Sequence, residues 1–115
     1  MRIKADIWVS AYIRRLGVAF VPAMVVRRGD ANAGAIFIKI NTLDGRAQVL
    51  RPAIAGMDEA ANERSWSHAF AEEGIEEAAA DAYLARQAEF DSDLWVIEVE
   101  EKQGRHCLED FVVTE

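Results

Sequence analysis

Four groups of side chains in the sequence have types and spacings that chemistry could use. Asp91 with Asp93, and Glu98 with Glu100, sit two residues apart, so each pair shares a face wherever the chain is extended. Such pairs hold a divalent cation or divide acid and base roles, as in a small metal-dependent hydrolase. The stretch after residue 51 carries 17 carboxylates, however, so pairs arise there by composition alone and read first as a solvated acidic face. His68, His106 and Cys107 form the second group. His106 and Cys107 are adjacent and would face opposite ways on a strand, which denies them a shared metal and denies Cys107 an activating base close by. The third group is glycine: Gly29, Gly34 and Gly45 are spaced for turns and lack the Gly-Lys-Ser/Thr signature of a phosphate loop. We assign no catalytic, cofactor-binding or metal-ligating residue and expect no cofactor.

The fourth group is basic. Arg27, Arg28 and Lys39 fall near the ends of neighbouring predicted strands, with Arg14 and Arg15 in the same half of the chain. Trp8 and Tyr12 lie close to the latter two, and phosphate contacts beside an aromatic platform are how single-stranded nucleic acids are held. Against this stands an isoelectric point of about 4.8, where a dedicated nucleic-acid domain is basic overall. The charge is also unevenly distributed: residues 1–51 carry net +6 and the remainder net −13. Oppositely charged halves suit a two-fold dimer in which the basic patch of one copy meets the acidic patch of the other. We therefore expect a non-enzymatic interaction module with a homo-oligomeric or protein partner, place nucleic-acid binding second, and place the hydrolase third.

The elements that must position these residues follow from periodicity. Ile3 to Leu16 predicts an amphipathic helix with Trp8, Val9, Tyr12, Ile13 and Leu16 on one face and Gly17 as a left-handed cap. Val21 to Leu50 predicts three antiparallel strands joined by two turns. The first turn runs from Gly29 to Gly34; the second contains Asp44-Gly45, and Pro22 marks the start or open edge of the first strand. Ile36 to Ile40 is apolar on both faces apart from Lys39, which predicts a central strand. Pro52 to Asn62 has no period and reads as a connection. Trp66, His68 and Phe70 alternate with Ser65 and Ser67, predicting a fourth strand with the serines outward. Glu72, Glu73, Glu76 and Glu77 cluster around the start of a helix ending near Phe90, with Ile75, Ala79, Ala82 and Phe90 as its buried stripe, Tyr83 nearby and Arg86 inside the stripe. Arg86 reads as a packed stem whose head reaches Asp91 or Asp93. Leu94 to Glu100 predicts a strand with Trp95, Ile97 and Val99 inward. After a turn from Lys102 to Arg105, His106 to Leu108 predicts a last short strand.

These elements predict an α+β fold over residues 1–115 as a single domain: an antiparallel sheet of four to six strands with two helices, in the order α-β-β-β-β-α-β(-β). The chain is long enough to bury a core without staples, and its one cysteine excludes an internal disulfide and fits a reducing compartment. Arg14, Arg15 and Pro22 interrupt the N-terminal apolar runs before a signal peptide or membrane span could form, so a soluble cytoplasmic protein is the expectation.

The segments IWVSAYIRRL, RRGDANAGAIFIKINTLDG and FDSDLWVIEVEEKQGRH together resemble the short bacterial proteins of domain-of-unknown-function family 1491, with a likeness that covers nearly the whole chain. The resemblance implies a complete small protein of the bacterial cytoplasm. It carries no activity, and no site residue is transferred through it.

Overall fold

A computed structural model describes residues 3–54 and 64–115. Helix α1 spans Ala5–Val18, and strands β1 (Ala23–Arg27), β2 (Ile36–Asn41), β3 (Arg46–Pro52), β4 (Trp66–His68) and β5 (Ile75–Glu76) follow. Helix α2 (Glu77–Phe90), strand β6 (Trp95–Glu100) and a 3-10 turn at Glu109–Phe111 complete the order. The connection predicted from Pro52 to Asn62 lies outside the described residues from position 55 onward. Among the described residues no helix is long and apolar enough to cross a membrane.

The six strands form one mixed sheet ordered β1-β6-β2-β3-β4, with β5 paired to β3. The expected β2–β3 hairpin forms, with Gly45 at φ 83° and Thr42, Asp44 and Arg46 bonded across its turn. The expected β1–β2 hairpin does not. Strand β6 lies between the two, antiparallel to β1 and parallel to β2, so the sheet is mixed rather than antiparallel. Parallel strands are characteristically covered on both faces, and β2 and β6 are the two strands buried along nearly their whole length. Strand β1 is the edge, and Pro22, whose carbonyl accepts from the Glu100 N–H, stands at its start as expected.

The segment between β1 and β2 is therefore not a tight reversal, and its glycines serve close approach rather than left-handed conformation. A Cβ on Gly29 would fall 2.2 Å from the Asp93 carbonyl oxygen, and one on Gly34 would fall 2.4 Å from the same atom. The Asp30 N–H donates to the Asp93 carbonyl at 2.8 Å, and the Trp95 indole donates back to the Asp30 carbonyl at 2.8 Å. Helix α1 has no side-chain cap; the carbonyls of Asn32 and Ala31 accept from the N–H groups of Ala5 and Asp6 instead. At its other end Gly17 remains helical, and the left-handed residue is Phe20 at φ 61°.

Each helix covers one face of the sheet. Ala5, Val9, Tyr12 and Leu16 of α1 pack on Ile36, Ile38, Ile40, Trp66, Trp95, Ile97 and Val99. Ala80 and Leu84 of α2 pack on Phe37, Val49, Leu94 and Val96. The stripe predicted for α2 is rotated from the observed one: Ala79, Ala82 and Arg86 are exposed, and Phe90 is 83% exposed. An alanine-rich helix carries little apolar contrast, and its rotation is set by Glu77 and Asp81, which reach under it to Lys39. In β4, Trp66 is buried as expected, but Ser67 is buried and His68 exposed, the reverse of the predicted pattern. Ser67 accepts from the Arg51 guanidinium and donates to Glu115, which accounts for a buried hydroxyl. No strand forms at 106–108; Cys107 takes φ 61° and the chain turns into Glu109–Phe111.

The glycines provide a paired test. Gly34→Ala must displace backbone and is expected to cost about 3 kcal/mol or more, the range of core overpacking and above. Gly17→Ala, whose new methyl meets nothing within 4 Å, should stabilise by about 0.5 kcal/mol. Urea denaturation of both variants measures the two effects, and a near-neutral Gly34→Ala would contradict the packing described for this loop.

Candidate functional site

The seven basic and aromatic residues singled out from sequence fall into three separate places. Lys39, in the middle of β2, points toward α2 and is only 3% exposed. Its ammonium contacts Glu77 Oε2 at 2.7 Å, Asp81 Oδ1 at 2.7 Å and Glu98 Oε1 at 3.3 Å, so each of its three donors has a carboxylate. The Asn41 amide bridges the same Glu77 and Glu98 at 3.1 and 3.3 Å. Burial alone would lower the Lys39 pKa, but Asp81, Glu77 and Glu98 together outweigh it and hold the group protonated above its ordinary range. A phosphate arriving here would meet three carboxylates around one cation, so Lys39 acts as a buried tether for α2 and not as an anion contact.

Arg14 and Arg28 come together on the opposite face. They line a groove of about 580 Å³ between α1 and β1, along with Asp6, Ile7, Ser10 and Val25. The Arg28 guanidinium lies 5.1 Å above the Trp95 ring. Arg27, although next in sequence, points to the other side and donates to the Ser92 carbonyl at 3.1 Å. Of the expected cluster, Arg27 and Lys39 thus line one groove on the α2 face, with Glu77 and Asp81, and only Arg28 is separated from them on the α1 face.

Trp8, Tyr12 and Arg15 make the third place, a cleft of about 250 Å³ that Trp66 and Phe111 also line. Trp8 stacks on Tyr12 with centroids 4.9 Å apart and tilts against Trp66 at 5.0 Å. The sequence indicated Trp8, Tyr12 and Arg15 but not Trp66 or Phe111, which reach the cleft only through the pairing of β4 and the final 3-10 turn. The Tyr12 hydroxyl donates to the His106 carbonyl at 2.8 Å, and burial keeps the phenol protonated well above its usual range.

The remaining candidates hold local structure. Asp91 Oδ1 accepts from the Asp93 N–H at 2.9 Å, and Glu98 is committed to Lys39 and Asn41. Among the described residues no group of three His, Cys, Asp or Glu side chains is placed to hold a metal ion. His106 is buried; its Nδ1 accepts from the Leu108 N–H at 3.1 Å and lies 3.2 Å from Glu109 Oε2. Burial depresses its pKa, Glu109 opposes that, and His68 adds to it.

Two outcomes follow from these geometries. Lys39→Met is expected to lower stability by about 2–3 kcal/mol, less than a wholly buried pair because Glu77 and Asp81 retain water contact. A urea midpoint within experimental error of wild type would refute the tether. For His106, the unfolded chain takes up the proton near pH 6.5 while the folded chain resists it. Stability is therefore complete above about pH 6.5 and falls as the pH drops through that value toward the depressed folded pKa. His106→Asn, which keeps an acceptor, should flatten the urea midpoint between pH 7 and pH 5.5, whereas a wild-type midpoint constant over that interval would exclude the effect.

Comparison with known proteins adds the lineage. A family model described as a protein of unknown function, DUF1491, matches residues 3–109. The crystal structure of a DUF1491 family protein from Caulobacter crescentus is 37% identical, covers 98% of this chain and 99% of that one, and superposes with a TM-score of 0.80. The solution structure of protein Atu0922 from A. tumefaciens is 36% identical, covers 100% and 98%, and superposes at 0.81. No curated protein matches the chain. With the family model spanning both helices and all six strands, and solved bacterial relatives aligning over nearly every residue, the chain belongs to the DUF1491 family.

Proposed function

We propose that the protein is a self-associating interaction module and that a second copy occupies the groove between α1 and β1. The observation that carries this reading is the outer flank of α1. Asp6, Ser10 and Arg14 follow one another at intervals of four residues, which places them in one row along the helix. The row is acidic at its start, small and neutral in the middle, and basic at its end. Two such rows crossing antiparallel at Ser10 set Asp6 of each copy against Arg14 of the other, an isologous match. Apolar groups flank it: Ile7 is 57% exposed and Val25 is 40% exposed. One carboxylate oxygen of Asp6 is buried with no hydrogen-bond partner among the described residues.

The contact runs through side chains and not through sheet extension. Between Val25 and Arg27 the pairing of β1 with β6 shifts register, and such a bulge makes an edge strand a poor template for a further strand. Charge at the rim of an interface mainly fixes partner and register, so the match between Asp6 and Arg14 sets geometry while Ile7 and Val25 supply the apolar area.

Sedimentation equilibrium tests the reading, with charge exchange as the control. Wild type is expected to dimerise; Asp6→Arg should weaken the dimer about thirtyfold, and Asp6→Arg with Arg14→Asp should recover most of the loss, because the two symmetric charge pairs are each worth about 1 kcal/mol at an interface rim. A single subunit mass at all concentrations, or a double variant no better than the single one, would refute it.

A further inference from the structure

We propose that the aromatic cleft on the other flank of α1 is a binding site for a single phosphorylated nucleobase, taken either as a free nucleotide or as one residue of a single strand. The wall of the cleft is Trp8, Tyr12, Trp66 and Phe111, and the guanidinium of Arg15 stands at its rim. The polar handles of two of these rings are already engaged inside the fold, Tyr12 Oη with the His106 carbonyl and Trp66 Nε1 with the Ile36 carbonyl at 2.8 Å. Tyr12 and Trp66, 3% and 1% exposed, therefore form the closed floor of the cleft, and the partly exposed rings of Trp8 and Phe111 are the faces an occupant meets, with few groups left that could read a base by hydrogen bonds. Arg15 is exposed, and its guanidinium makes no hydrogen bond or salt bridge among the described residues. Arg64 also borders the cleft and donates to the Ile3 carbonyl at 2.7 Å, which fixes one side of the entrance.

Each feature selects part of the occupant. Aromatic walls stack a planar ring whatever its edge pattern, as single-stranded nucleic-acid binders do. An uncommitted guanidinium beside them favours a phosphate or carboxylate over a neutral group. A volume of about 250 Å³ lies below the roughly 300–1,000 Å³ of pockets that enclose drug-sized molecules, which limits the site to one ring system with its charged group. Ring stacking without edge recognition makes the binding tolerant of base identity. The cleft and the self-association groove share α1 but lie on opposite flanks of its buried face, so the two readings stand or fall separately.

Two-dimensional NMR of the tryptophan indole N–H signals provides the test, because Trp8 and Trp66 line the cleft and Trp95 does not. At low salt, AMP and UMP are expected to shift the Trp8 and Trp66 signals with similar affinity while leaving Trp95 in place. Ribose 5-phosphate, which lacks the ring, and adenosine, which lacks the phosphate, should each bind about tenfold or more weakly, the scale of one stacking or one charge-assisted contact. Arg15→Ala should weaken AMP about tenfold and leave adenosine unchanged; because Arg15 is exposed, the variant keeps its fold, and an unperturbed spectrum without ligand confirms that. A hexadeoxyadenylate tighter than AMP assigns the site to single strands, and one equal or weaker assigns it to free nucleotides. No shift of Trp8 by any of these at millimolar concentration, or adenosine binding as tightly as AMP, would overturn the proposal.

Discussion

The fold depends on the absence of two side chains. Gly29 and Gly34 let the segment between β1 and β2 lie directly on the backbone of Asp93 and Leu94, at distances no Cβ could share. From that contact the Asp30 carbonyl reaches the Trp95 indole, the Ala35 carbonyl reaches the Trp95 N–H, and the Ala31 and Asn32 carbonyls satisfy the first turn of α1. One irregular loop thus joins the start of α1, the end of β1, the start of β2 and the start of β6. The grooves on either side of α1 inherit their shape from it, because the loop fixes where the helix begins and therefore which flank each side chain joins.

On the other face a single charge takes the organising role that apolar contrast cannot. Helix α2 buries only Ala80 and Leu84 outright, too little to fix its rotation by hydrophobic contact. Lys39 rises between Ile38 and Ile40 of β2 and gathers Glu77, Asp81 and Glu98, joining α2 and β6 to the central strand through one ammonium. Buried ionic clusters contribute little net stability compared with good apolar packing, but they restrict the arrangements in which every charge has a partner. Here that restriction selects the helix face.

The parts of the molecule set by local pattern were legible in the sequence. The apolar face of α1, the Asp44-Gly45 hairpin, the alternation in β6 and the place of Pro22 at the start of β1 all follow from periodicity or turn chemistry. What was not legible depends on contacts remote in sequence. A loop such as 29–34 reads as a reversal because glycine permits positive φ, and nothing local reveals that its glycines are needed for clearance against Asp93. Strand order suffered accordingly, since β6 enters between two strands that are neighbours in sequence. The α2 stripe failed for a related reason: its true face is marked by Glu77 and Asp81, residues that a hydrophobicity pattern assigns to solvent. Of the site residues, Trp8, Tyr12 and Arg15 come together as a local cluster on one helix, while Arg28 is turned by the strand pleat to the face opposite Arg27 and Lys39, which sequence proximity cannot show.

The parallel pairing of β2 with β6 also bears on how the chain comes to be folded as it is made. Ile36 pairs with Trp95 and Asn41 with Glu100, so the middle of the sheet joins the first half of the chain to its last fifth. Contacts so distant in sequence close slowly, and during synthesis β2 has neither of its apolar faces fully covered until β6 has emerged from the ribosome. The nascent chain must carry Phe37, Ile38 and Ile40 unshielded by their central neighbour through the synthesis of more than fifty residues, a period in which the strongly acidic segment around Glu72 to Asp81 is also added. Net negative charge added at that stage opposes contact between like chains while β2 still lacks its central neighbour.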